Sequence, residues 1–234
     1  MRYRDIPQMT PSAGLYAVDV GWNYLAKYYY SQVMDYGLDV NPNFQRGNVW
    51  TEAQKTRFVE YILSGGKSGK DIYTNCPTWQ GFVDKNDPKC WYVLVDGKQR
   101  IDAVIGYLSN EIKAFGHYHR EYTDGFDIMQ CRFRWHVNEL KTINDVYSWY
   151  IDLNAGGTVH SEDEIERVRA LRDNKVPYER ITGDEAMDRA HMNRAAIVAA
   201  KEAEEQDQAR QDQARLVTAA REAETSKRKK TRRR

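Results

Sequence analysis

The segment from Trp91 to Leu108 leaves little choice of local structure. It reads Trp-Tyr-Val-Leu-Val, then Asp96-Gly97-Lys98-Gln99-Arg100, then Ile-Asp-Ala-Val-Ile-Gly-Tyr-Leu. Five aromatic and aliphatic residues in a row read as a buried strand. Asp-Gly is a turn pair, and Asp is also a good helix N-cap. Beyond it Ile101, Val104, Ile105 and Leu108 recur at helical spacing. The segment is therefore a strand, a glycine turn and a helix whose first turn carries Gln99 and Arg100. A helix N-terminus presents unpaired N–H groups and the positive end of the dipole, which suits a phosphate, and Arg100 adds a planar fork of donors. A second reading stays open: Asp96 caps the helix and Arg100 pairs with Asp96 or Asp102.

Asp96-Gly-Lys-Gln-Arg100 resembles the DGQQR motif of the GmrS-type domain, the nucleotide-hydrolysing half of GmrSD modification-dependent restriction enzymes. Gly97-x-x-Arg100-x-x-Ala103 is also similar to the glycine-arginine phosphate box of the ParB partition proteins, whose fold is related. Two further segments carry the likeness. Asn41-Pro-Asn-Phe-Gln45-Arg46-Gly-Asn-Val-Trp50 precedes a helix that Thr51 and Gln54 open as a capping box and that ends at Gly65-Gly66. GmrS-type domains have a proline, an aromatic, Gln-Arg and Val-Trp there, and the ParB proteins an Asn-Pro-x-x-x-Arg box. Asn154-Ala-Gly156-Gly157, followed by a capping box at Ser161 and Glu164, resembles the third GmrS-type segment, Asn-x-Gly-Gly before an acidic helix start. The likeness spans residues 20–170.

The resemblance implies a ParB/GmrS-like α/β (α+β) domain with a small mixed sheet and helices. It implies a bound nucleoside triphosphate, with Mg²⁺ as its counter-ion. Asp96 and Arg100 would be catalytic, Asp96 positioning the metal ion or a water. Gln45, Arg46, Gly97, Lys98, Gln99, Asn154, Gly156 and Gly157 would shape the pocket. A homodimer and a setting in phage or bacterial restriction or anti-restriction are implied as well. No HNH-like module follows the domain, so a stand-alone triphosphatase is expected rather than a nuclease. The alternative, from another class, is a non-enzymatic adaptor that docks DNA or protein. Arg46 also has a structural reading, as a partner of Asp96.

Charge is unevenly spread. Residues 185–234 hold 13 Lys/Arg and 9 Asp/Glu, net +4, and the remaining chain holds 22 and 25, net −3. The body is thus no general polyanion sponge. The end, with Lys227, Arg228, Lys229, Lys230, Arg232, Arg233 and Arg234, is the expected DNA contact. The expected division is an arm over 1–15, the domain over 16–180, a helical arm over 181–224 and a basic tail over 225–234. The arm repeats Gln-Asp-Gln-Ala-Arg at period five, which matches no coiled-coil stripe.

Other signals are negative. Gly65-Gly-Lys-Ser-Gly-Lys70 is no P-loop, because Tyr61 stands where the first glycine belongs. Cys76, Cys90 and Cys131 are too far apart for a zinc knuckle or a disulfide framework, so no metal ligands are expected, His117 and His119 included. No signal peptide or membrane span is visible, and a cytoplasmic location is the expectation. Residues 16–36 read as an amphipathic helix with a tyrosine stripe, and 126–135 as a strand with Ile128, Cys131, Phe133 and Trp135 inward.

Overall fold

The structure is a computed structural model and describes residues 16–45, 50–79, 91–155 and 162–176. Its elements are β1 (Tyr16–Gly21), α1 (Trp22–Met34), α2 (Glu52–Leu63), β2 (Asp71–Asn75), β3 (Val93–Asp96), α3 (Lys98–Leu108), β4 (Arg132–Asn138), α4 (Ile143–Ala155) and α5 (Glu162–Asp173). A short 3-10 turn covers His119–Glu121.

The strands form one mixed sheet in the order β1-β4-β2-β3, antiparallel except for the parallel pair β2–β4. Alternation along β3 sends its residues into two cores. Leu94 joins Ile72, Phe133, Trp135 and Val137 under α1, α2 and α3. Val93 and Val95 face Val146, Trp149 and Phe44 on the α4–α5 side. This is the mixed α/β architecture expected.

Helix α3 is sealed all round, with every residue from Ile101 to Leu108 buried. Its one acid, Asp102, pairs with Lys55 of α2, so no charge is left alone between the helices. Helix α2 starts on the expected capping box: Gln54 N–H donates to Thr51 Oγ1, and Thr51 N–H to Gln54 Oε1.

The outer edge of β3 is closed by chain from 39–45. Asp39 N–H donates to Tyr92 O (2.8 Å) and Leu94 N–H to Asp39 O (2.9 Å). The Gln45 side-chain amide completes the edge on Leu94 O at 2.6 Å.

Two local expectations are corrected, the helix start and the strand start, and the tyrosine stripe is placed. Residues 16–21 are a strand, because Tyr16–Gly21 finds an antiparallel partner in β4, from Tyr16↔Val137 to Gly21↔Arg132, and the helix begins only at Trp22. Of the tyrosine stripe, Tyr29 is buried and Tyr28 lies edge-on to Trp135, while Tyr24 is exposed. The strand near 126–135 starts at Arg132, so Ile128 lies outside it and is exposed, whereas Cys131, Phe133 and Trp135 are buried.

Candidate functional site at the β3–α3 turn

Pairing between β2 and β3 slips by one residue, so that Leu94 faces Thr74 and Asp96 faces Tyr73. Such a bulge re-aims the side chains at a strand's end. It brings Asp96 beside Tyr73, whose phenol is held above its ordinary range by burial and by the carboxylates of Asp71 and Asp96.

The N-cap of α3 is Gly97, and Asp96 stands one residue earlier than a cap would. Gly97 has φ +112°, and no side chain caps the helix. A Cβ there would overlap the Ile72 Cδ1 methyl and approach the Ile72 Cα at 3.3 Å. Only glycine serves both the conformation and the fit. The carboxylate of Asp96 accepts Gly97 N–H at 2.7 Å on one oxygen and pairs with Arg100 through the other. The Asp96–Arg100 pairing left open by the sequence is therefore formed. It occupies one edge of a guanidinium that has five donors in all.

The other predicted groups lie around this turn to different degrees. Gln99 Oε1 accepts the Trp50 N–H at 3.1 Å, and Trp50 packs on Phe58 at 5.5 Å. Gln45 is held against β3 by its bond to Leu94 O. It is anchored by Phe44, fully buried edge-on to Tyr147 (5.6 Å) and Tyr150 (5.4 Å). Arg167 of α5 donates to Asn43 O (2.8 Å) and Phe44 O (2.9 Å). Lys98 is the first residue of α3. Asn154 spends its amide inside α4, on Tyr150 O at 2.6 Å. The glycine-lysine loop runs alongside, with Gly69 near the Arg100 Cδ and the Lys70 ammonium donating to Gln130 O at 2.7 Å. Arg46, Gly156, Gly157 and the tail residues Lys227, Arg228, Lys229, Lys230, Arg232, Arg233 and Arg234 lie outside the described residues.

Sequence reasoning missed a row of polar groups on the neighbouring strands. The Tyr73 ring stacks on His136 with centroids 4.8 Å apart, and Trp149 closes on Tyr73 edge-on at 5.9 Å. His136 Nε2 hydrogen-bonds the Asp71 carboxylate at 2.7 Å, while its buried Nδ1 has no partner. His136 is nearly enclosed and Asp71 is about half exposed, so the imidazole orients the carboxylate rather than the reverse. The available signal was alternation: Asp71-x-Tyr73-x-Asn75 and Arg134-x-His136-x-Asn138 each put polar groups at period two. Their meeting depends on the β2–β4 pairing, which no local pattern reveals.

Chemically, the turn offers a glycine backbone that a phosphate can approach closely, a guanidinium beside it and two carboxylates around Tyr73. Among the described residues no three His, Cys, Asp or Glu side chains cluster as a metal site, and no helix is long and apolar enough to cross a membrane. A family model described as GmrSD restriction endonuclease, N-terminal domain, matches residues 27–232. No curated protein and no solved structure matches the chain.

Proposed function

The chain belongs to the family of GmrSD restriction endonuclease N-terminal domains, and from that membership and the β3–α3 turn we propose a restriction-system protein that acts on DNA and binds a nucleoside triphosphate. The observation that carries the nucleotide reading is Gly97. It stands in a left-handed conformation at an N-cap without side-chain capping, two to three residues before the Gln99 and Arg100 side chains. Helix N-termini of this kind hold phosphates through backbone N–H groups and the dipole. Arg100 would neutralise the phosphate, and Gln99 and Gln45 would border the nucleotide.

The residues fit an accompanying Mg²⁺ through carboxylates alone, since this ion takes one or two of them together with phosphate oxygens and water. Asp96 has both oxygens engaged, on Gly97 N–H and Arg100. Asp71, held by His136 and about half exposed, is the more available ligand. When bound, the ion would supply charge neutralisation at the phosphates. The chain's own contribution is to hold Asp71 by His136, keep Arg100 in register through Asp96, and exclude water behind Tyr73 and Trp149.

The adaptor reading rests on the same Asp96–Arg100 pair, which satisfies the turn without any ligand. Melting with each of the four nucleoside triphosphates plus Mg²⁺ separates the two. Ligand at a hundred times its dissociation constant adds about 2.7 kcal/mol, or roughly 5–10 °C for a domain of this size. We expect that rise with a preferred nucleotide and its loss in Arg100→Ala. No rise with any nucleotide would leave the adaptor reading.

For DNA, the basic end is the proposed contact. Deleting residues 225–234 removes seven positive charges. Affinity should fall, and the salt slope should shrink by as much as about 6 if all seven reach phosphates. An unchanged slope would remove the tail from the interface.

A further inference from the structure

A cavity of about 410 Å³ opens at the far end of α3, walled by the rings of Tyr107, Phe115, His119, Tyr122 and Phe126. By helix rise, Tyr107 lies roughly 14 Å from the start of α3, so this is a site apart from the β3–α3 turn. Ligand pockets fall in the size range of a few hundred cubic ångströms and are predominantly aromatic and apolar.

Three features mark it as more than a packing gap. Tyr107 is 2% exposed and borders the cavity, so a buried phenol forms part of its wall. Burial and the neighbouring Tyr122 hold that phenol above its ordinary range, so it is a permanent O–H donor. Phe115 sits at φ +50° in a two-residue hairpin closed by Ala114 and His117, with Gly116 at φ +81°. This is a position that asparagine or glycine fills at lower cost, and the phenyl ring it carries is 54% exposed at the cavity mouth. Glu60 fixes the hairpin through Phe115 N–H at 2.7 Å, and Tyr122 Oη donates to Ala114 O at 2.8 Å. Strain held in place by surrounding bonds, and spent on exposing a ring, is the signature of a binding surface.

The charge of the lining narrows the ligand. Asp124 and Asp127 line it and no lysine or arginine does, which disfavours a phosphate group inside. Lys113 and Arg120 stand over the Tyr118 ring, at 4.8 and 5.5 Å, outside the lining, where a phosphate beyond the cavity would meet them. We propose that this cavity receives a nucleobase carrying an exocyclic amine, of the cytosine or adenine type. Its rings would stack on Phe115 and Tyr122, its amine would face Asp124, and its ring acceptor would take the Tyr107 hydroxyl. An extruded base of DNA is one source and a free nucleoside the other; the first rests on the reading that the protein acts on DNA.

The test uses the full chain, short duplexes with and without a mismatched cytosine, and free cytidine and adenosine. Mismatched bases are cheaper to extrude, and one base on an aromatic platform is worth roughly tenfold or more in affinity. We expect the mismatched duplex to bind about tenfold tighter in the wild type. That preference should vanish in Phe115→Gly and weaken in Tyr107→Phe. Glycine suits the φ of Phe115, so Phe115→Gly should melt no lower than the wild type. If both duplexes bind alike but cytidine binds in a Phe115-dependent way, the source is the free nucleoside. If neither duplex preference nor nucleoside binding depends on Phe115, the proposal is wrong. Absence of all duplex binding would instead defeat the DNA reading, and the nucleoside titration would still judge the cavity.

Discussion

Replacing Gly97 with alanine is expected to destabilise the fold by about 2–4 kcal/mol, from left-handed strain and overlap in the core. The two costs arise together because the position has φ +112° and its missing Cβ points at Ile72. For a domain of this size the melting temperature should drop on the order of 10 °C, read by circular dichroism. Relief is expected from Ile72→Val in the Gly97→Ala background, measured against Ile72→Val alone, because the closest overlap is with the Cδ1 methyl that this change removes. If the double variant regains nothing, strain at the backbone is the whole effect. A Gly97→Ala melting point equal to the wild type would remove the close approach of β2 from the account of this turn.

Phe44→Ala should have the larger effect, about 3–5 kcal/mol by the usual cost of emptying a buried aromatic site. Phe44 is fully buried between Tyr147 and Tyr150, with its carbonyl held by Arg167. The ring is thus the peg that fastens the Asn41–Gln45 segment to α4 and α5. Denaturant unfolding measures the loss. A conservative Phe44→Leu should keep most of the stability while loosening Gln45, so a nucleotide response reduced in Phe44→Leu would place this peg in the site's support. A loss below about 1 kcal/mol in the alanine variant would mean that the segment is held elsewhere.

What could be read from the chain alone was what its neighbours in sequence determine. The β3–Gly97–α3 unit announces itself through an apolar run, a turn pair and helical spacing within Trp91–Leu108. The start of α2 is visible because Thr51 and Gln54 are three residues apart. Strand β1 was hidden, since its partner β4 lies more than a hundred residues on and the tyrosines after it carry a helical period of their own. The Asp71–Tyr73–His136 row was hidden for the same reason: parallel pairing of β2 with β4 creates it. Asp96 was legible as important but not in its detail. Its carboxylate serves Gly97 N–H and Arg100 together, and the choice among cap, ion pair and metal ligand depends on the bulge opposite Tyr73.

The bonds from Asp39 and Gln45 to β3 also govern how copies of this chain can meet. Open sheet edges are templates for strand addition, the route to domain swapping and fibrillar aggregates. On β3 the main-chain groups at Tyr92 and Leu94 are already spoken for, so an incoming strand finds no ladder to continue. The sheet's opposite margin is β1. Among the described residues the edge left for zipping one sheet onto another is therefore β1, and association there would leave the Gln45 side of both copies facing outward.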